Sequence, residues 1–190
     1  MRDVSDPKAR RRFYLDRGLR RRPVGTGSDT GHLMSLPRAK VSVNPLDIFG
    51  SLPVLVAGGV ATRAFMPERQ TKDIGFLVAH KQFTEAAECL QKAGFKKRVD
   101  LAFPSATLGL YGQAWHRGSE EADILSSAQQ WCLRAFEGHV EDQTGLRVVP
   151  LPYLVLMKFD AARGIDQGDL TRMLGAVSDA EVESIAAIVE

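Results

Sequence analysis

The sequence predicts an α+β fold of mixed α/β character: a small mixed sheet with flanking helices and a helical layer at its C-terminal end. Three observations predict it. Short apolar runs of strand length, such as Pro53-Val54-Leu55-Val56-Ala57, alternate with helical patterns through the middle of the chain. The last third carries three helical patterns in succession. At 190 residues, with 44% hydrophobic and 25% charged content, the chain has enough apolar material for one ordinary domain with a core.

The elements follow in order. The run 53–57 ends at Gly58-Gly59, as a buried strand running into a turn would. Val60 to Met66 reads as a short helix stopped by Pro67. Asp73 to Val78 reads as a second strand, with Ile74, Phe76 and Val78 on one parity. His80 to Ala93 is an amphipathic helix with Phe83, Ala86, Ala87, Leu90 and Ala93 on one stripe and Gly94 as its stop. Residues 95–117 read as irregular or hairpin strands, with Tyr111-Gly112-Gln113 among them. Ala122 to Leu125 is a further strand, Ala128 to Phe136 a helix, and Gly145 to Val149 another strand. The C-terminal helices run over Pro152–Arg163 and Gly168–Val177, and the capping box Ser178-Asp179-Ala180-Glu181 opens a third.

Charge divides the chain. Residues 1–33 hold nine Lys/Arg and four Asp, a net of +5, whereas 34–190 carry a net of −3. The segment 1–33, with Arg10-Arg11-Arg12 and Arg20-Arg21-Arg22, shows little apolar periodicity and reads as a basic, disordered or loosely helical arm ahead of a domain at 34–190. Two readings of it stay open: a tail that neutralises nucleic-acid phosphates, or an extension upstream of Met34 without a functional part. No apolar run approaches the roughly 20 residues that span a bilayer, so no membrane partner is expected. The start of the chain lacks the apolar core of a secretory signal. Two isolated cysteines, Cys89 and Cys132, are too few for a zinc cluster and read as buried thiols of a cytoplasmic protein.

Chemistry concentrates at three places. Gly58-Gly59, where a strand gives way to a helix, lets backbone approach a phosphate closely. Asp73 is an acid at the head of an apolar strand, and residue 75 shares its face. Two carboxylates at such positions hold divalent cations in phosphoryl and nucleotidyl transfer. Glu121-Ala122-Asp123 places further acids on a later strand, where Asp123 would reach the same site if the strands are neighbours. His80, His116 and His139 have no ligand spacing and read as surface residues. Trp115 and Trp131 read as packing residues.

In this order, Gly58-Gly59, then Arg69-Gln70-Thr71-Lys72-Asp73, then Asp123, the chain resembles the nucleotidyltransferase superfamily. It is most similar to the minimal forms and to the AbiEii-like toxins of type IV toxin–antitoxin systems. The run from Pro152 through Lys158 and Arg163 to Asp166 and Asp169-Leu170 resembles that group too, so the likeness covers about residues 50–177. The resemblance implies that Gly58 and Gly59 cradle nucleotide phosphates and that Asp73 and Asp123 are catalytic, holding Mg²⁺. It implies that Arg69 and Thr71 shape the loop ahead of the metal site and that Lys158 reaches the triphosphate. Arg163, Asp166 and Asp169 fit ion pairs between helices, with a part in the active site left open. The implied partners are a nucleoside triphosphate, a hydroxyl on a protein or RNA acceptor, and a cognate antitoxin.

The chain departs from the pattern at Gly75, where the family has its second aspartate. Three readings follow: a protein that keeps the fold and binds a nucleotide or a partner without chemistry, an enzyme in which another acid substitutes, with Glu121 nearest by strand parity, or a change from an active parent.

Overall fold

The computed structural model describes residues 8–9, 11–12, 15, 43–66, 71–103 and 107–189. Seven strands form one mixed sheet: β1 (Val54–Ala57), β2 (Asp73–Val78), β3 (Lys96–Ala102), β4 (Tyr111–Arg117), β5 (Glu120–Ser126), β6 (Val140–Glu141) and β7 (Arg147–Val148). Their spatial order is β3-β4-β5-β2-β1-β7-β6. At the centre, β2 runs antiparallel to β1 and parallel to β5. The mixed character lies there, and it decides which side chains of β2 and β5 stand side by side.

The sheet is buried on both sides at β2, so β2 is apolar at nearly every position rather than alternating. Ile74, Phe76, Ala122 and Ile124 share one face and are all buried. Phe76 meets Phe49 of helix α1 (Pro45–Phe49) edge-on at 4.9 Å between ring centroids. Asn44 caps α1, its side chain accepting from the Leu46 amide. Helix α3 (Phe83–Lys92) packs on the same side through Ala86 and Leu90. Cys132 of helix α4 (Gln130–Glu137) lies 3.7 Å from the Val78 carbonyl. Burial pushes the Cys132 thiol above its ordinary range. Cys132 is buried, whereas Cys89 is only half-buried.

Across a cavity from the opposite face of the sheet stands helix α5 (Leu151–Ala161), against which α6 (Gly164–Ala176) and α7 (Asp179–Val189) pack. Helix α5 is buried on nearly every side from Leu154 to Asp160 because it packs against α6, α7 and the short helix α2 (Gly58–Ala61). The capping box of α7 forms as its sequence predicts, with the Ser178 amide donating to Glu181 at 2.8 Å and the Glu181 amide donating to Ser178 Oγ at 3.4 Å.

Several boundaries differ from those read in the sequence. The helix expected over 60–66 is one α turn at 58–61 followed by a 3-10 turn at Thr62–Ala64. The helix expected from Gly168 begins at Gly164, because Asp166 accepts from the Arg163 amide and starts the helix early. The strand expected over 122–125 extends to Glu120–Ser126, its added residues paired on β4. Within 95–117 the irregular or hairpin strands expected there are β3 and β4, paired antiparallel with a register irregularity between Lys97 and Val99.

Of the basic segment 1–33, Arg11 and Leu15 are buried. Arg11 donates to the Val189 carbonyl at 2.9 Å and to Thr107 Oγ1 at 3.0 Å, and Thr107 in turn donates to Asp160 at 2.6 Å. Among the described residues, no helix is long and apolar enough to cross a membrane.

Candidate active site

Parallel pairing of β2 with β5 sets Asp73 opposite Glu121 and Gly75 opposite Asp123. Side chains at equal parity on paired strands share a face, so Asp73, Asp123 and the position of Gly75 stand together. They face a cavity of about 290 Å³. One wall is the sheet with Asp73, Gly75, Asp123 and Gly58. The other is helical, with Leu154, Met157, Lys158, Ala161, Arg163 and Asp166. Leu101, Phe103, Leu110 and Leu125 make a third, apolar side.

The acids are held under tension. Burial raises the pKa of Asp123 from 3.8 to about 6, and the negative charges of Asp73 and Glu121 add to it against the opposing pull of Arg163 and Arg98. Thr71 turns the Asp73 carboxylate, donating its hydroxyl to Oδ1 at 3.1 Å. Glu121, though level with Asp73 in register, is not part of the cavity wall. Its carboxylate is 3.6 Å from Arg98 and its side chain 45% exposed.

Gly58 closes β1 with φ of 67°, a left-handed conformation that a glycine adopts without the clash a Cβ would bring. A Cβ there would point into open space, so this position keeps the cavity mouth clear. Gly59 follows inside the turn, its carbonyl accepting from Thr62 at 2.7 Å. The turn is bolted to the far hairpin by Arg63, which is 2% exposed. Its guanidinium donates to Asp142 at 2.7 Å and to Thr144 at 2.7 Å. Burial works against the Asp142 charge. Bonds from Thr144, the Leu146 amide and Arg63 outweigh it and hold the carboxyl below its usual range. Nothing local in the sequence marks this clamp, because its partners lie 79 residues apart.

Lys158 stands at the cavity's helical wall, but its ammonium is committed inside the protein. Nζ lies 2.8 Å from Asp166 and 2.7 Å from Asp169, with 4% of the side chain exposed. A buried ammonium without counter-charge would be strongly disfavoured, and two carboxylates supply it here. Arg163 holds Asp166 with Nε at 2.7 Å and Nη2 at 3.2 Å, so the ion-paired arrangement expected between these helices is present. Burial opposes the Asp166 charge, yet the bonds from Arg163 and Lys158 leave its pKa lowered. Sequence reading singled out Gly58, Gly59, Thr71, Asp73, Asp123 and Lys158. Of these, Gly58, Asp73, Asp123 and Lys158 line the cavity. Arg69 lies outside the described residues. The apolar side was not anticipated, since Leu101, Phe103 and Leu110 carry no signal apart from hydrophobicity.

Two carboxylates that repel each other on one face fit a single hard divalent cation. Mg²⁺ commonly takes one or two protein carboxylates and completes its shell with water and substrate phosphate. No group of three His, Cys, Asp or Glu side chains able to hold a metal occurs among the described residues. With Gly75 in place of an acid, Asp73 and Asp123 are the two carboxylates that the strands bring to the cavity among the described residues.

The chain matches no protein-family model, and no curated protein matches it at a significant level. Solved structures do resemble it. The crystal structure of ANT(2'')-Ia in complex with adenylyl-2''-tobramycin superposes with a TM-score of 0.52 at 16% identity, over 73% of this chain and 87% of that one. The solution structure of the antibiotic-resistance factor ANT(2'')-Ia gives a TM-score of 0.48 at 17% identity, over 72% and 80%. ANT(2'')-Ia is an aminoglycoside nucleotidyltransferase. At such identity the likeness is one of fold, and the chain has a nucleotidyltransferase-like fold.

Proposed function

We propose that the protein transfers a nucleotide from a nucleoside triphosphate to an acceptor hydroxyl, in the cavity between β2, β5 and helix α5. The observation that carries this reading is that Asp73 of β2 and Asp123 of β5, two positions apart in register on adjacent parallel strands, face one cavity on a fold shared with a nucleotidyltransferase. Asp73 and Asp123 would hold one Mg²⁺, with Thr71 fixing the orientation of Asp73. Bound there, Mg²⁺ supplies Lewis-acid polarisation of the phosphates and offsets charge developing on the leaving pyrophosphate. Gly58 leaves room for the phosphates to approach the backbone, and the apolar side formed by Leu101, Phe103, Leu110 and Leu125 excludes water from the reacting atoms. In the transfer, the acceptor oxygen bonds to the α-phosphorus, the bond to pyrophosphate breaks with its electron pair leaving on pyrophosphate, and the hydroxyl proton passes to solvent.

A protein or RNA acceptor and a cognate antitoxin belong to the finer form of this reading. Their support is the order of motifs from Gly58 to Asp169. One observation favours a second reading, a nucleotide-binding protein without chemistry: Gly75 puts a hydrogen where a further carboxylate would share the cation.

The test is Mg²⁺-dependent transfer of label from each of the four nucleoside triphosphates to total RNA or protein. Transfer by the wild type that is lost in Asp73→Ala supports the enzyme. Nucleotide binding without transfer supports the second reading. Absence of both binding and transfer refutes each of them.

A further inference from the structure

We propose that Arg163, and not Lys158, is the cation that the helical layer presents to the phosphates of the bound nucleotide. This assignment rests on the nucleotidyltransferase reading of the cavity. In it, Lys158 is the buried counter-charge of Asp166 and Asp169 and makes no contact with the ligand.

Accessibility separates the two cations first. Both line the cavity, but the Lys158 side chain is 4% exposed whereas that of Arg163 is 65% exposed. Lys158 faces two carboxylates, Asp166 and Asp169, whose side chains are 0% and 1% exposed. Turning its ammonium toward a ligand would break its contacts with both buried carboxylates. Arg163 has no such constraint. Its guanidinium meets Asp166 through Nε and Nη2, and the planar fork carries five donors in all. The Nη1 edge therefore remains for a second anion while the first contact is kept. A lysine has no comparable division of its donors.

Backbone geometry and Asp166 fix where Arg163 stands. Ala162 ends α5 with φ of 52°, the one positive φ at a non-glycine position among the described residues. This left-handed residue reverses the chain and makes Arg163 the first residue ahead of α6. Asp166 then holds Arg163 three times, accepting from its amide at 3.2 Å, from Nε at 2.7 Å and from Nη2 at 3.2 Å. Lys158 holds Asp166 from the other side at 2.8 Å. The result is a chain of contacts from the buried ammonium to the exposed guanidinium.

Electrostatics agree with the placement. The bond from Asp166 raises the Arg163 pKa against the opposing effect of burial, and the charges of Asp73 and Asp123 add to it. Arg163 therefore lies within the field of the acid pair. The charge count also gives it a task. One divalent cation on Asp73 and Asp123 leaves the metal and its ligands neutral, so those groups alone provide no net positive charge for a polyphosphate. Lys158 is enclosed with Asp166 and Asp169, and Arg163 shares Asp166, so the helical wall offers a polyphosphate the exposed edge of one guanidinium rather than a surplus of charge.

The test measures affinity for ATP and for inorganic tripolyphosphate in Mg²⁺ by calorimetry, together with thermal unfolding of each variant. Arg163→Gln should weaken both ligands by on the order of tenfold, and Arg163→Lys should recover part of the loss. The paired variant Lys158→Met with Asp169→Asn removes one charge of each sign and keeps the Arg163–Asp166 contact, so its affinities should stay within about threefold of wild type. A purely structural Arg163 would shift the unfolding temperature and leave both affinities in place. Unchanged affinities in Arg163→Gln would overturn the assignment while leaving the nucleotidyltransferase reading intact. So would a tenfold loss in a paired variant that still unfolds cooperatively. A wild type that binds neither ligand overturns both.

Discussion

Asp123 is ionised at neutral pH against the resistance of its surroundings, so removing its charge should stabilise the metal-free protein. Its pKa rises from 3.8 to about 6 on folding. At 1.36 kcal/mol per pH unit this corresponds to about 3 kcal/mol. The carboxylate is partly exposed, and solvent screening reduces the figure to about 1–2 kcal/mol. The direction follows from proton linkage. The folded protein holds this proton more tightly than the unfolded chain, so its contribution is fully present below pH 3.8 and is lost as pH rises through about 6. Asp123→Asn carries no such loss. With a chelator at pH 7.5 it should therefore unfold about 2–8 °C above the wild type, with about half that advantage at pH 5. Mg²⁺ should reverse the order, because it stabilises a wild type that binds it while the amide has given up a charged ligand. Scanning calorimetry at both pH values, with and without Mg²⁺, checks all of this. An asparagine variant no more stable than wild type at pH 7.5, or an advantage that does not shrink at pH 5, would refute the argument from buried charge.

Gly75→Asp should fold, because a Cβ there meets the Ala57 carbonyl carbon and oxygen at 3.5 Å and the Gly58 nitrogen at 3.7 Å, all ordinary contacts. Without Mg²⁺ the extra acid should cost about 1 kcal/mol of stability through like-charge crowding. With Mg²⁺ it should raise transfer by roughly a hundredfold or more, read as initial rate against wild type; an equal or lower rate would show that the missing carboxylate does not limit the reaction. Arg63→Met should cost about 3 kcal/mol by leaving Asp142 buried without its cation, lowering the unfolding temperature by about 6–12 °C in a calorimetric scan. A loss under 1 kcal/mol would remove the clamp from the account of how the Gly58 turn is held.

The sheet and the acids were legible in the sequence for a shared reason. Apolar residues of one parity at Ile74, Phe76 and Val78 fix β2 as a strand with a buried face, and the same parity places Asp73 and Gly75 together on the other. The motif order from Gly58 to Asp169 carried the fold resemblance. Boundaries were less legible. Gly168 reads as a helix start by its local pattern, but the contacts of Asp166 with Arg163 begin the helix at Gly164.

The sequence by itself determined which residues could act: two acids on strands, glycines at a turn, and a lysine and an arginine near the start of a helix pair. Only the tertiary structure decided which of them meet. Parallel pairing of β2 with β5 brings Asp123 level with Gly75, a contact across 48 residues that no local pattern encodes. Burial decided between the cations, because Lys158 and Arg163, five residues apart, differ in exposure from 4% to 65%. A charge inside the protein must be matched by its neighbours, whereas one at the cavity wall is left to meet a ligand. That choice depends on what surrounds each group after folding.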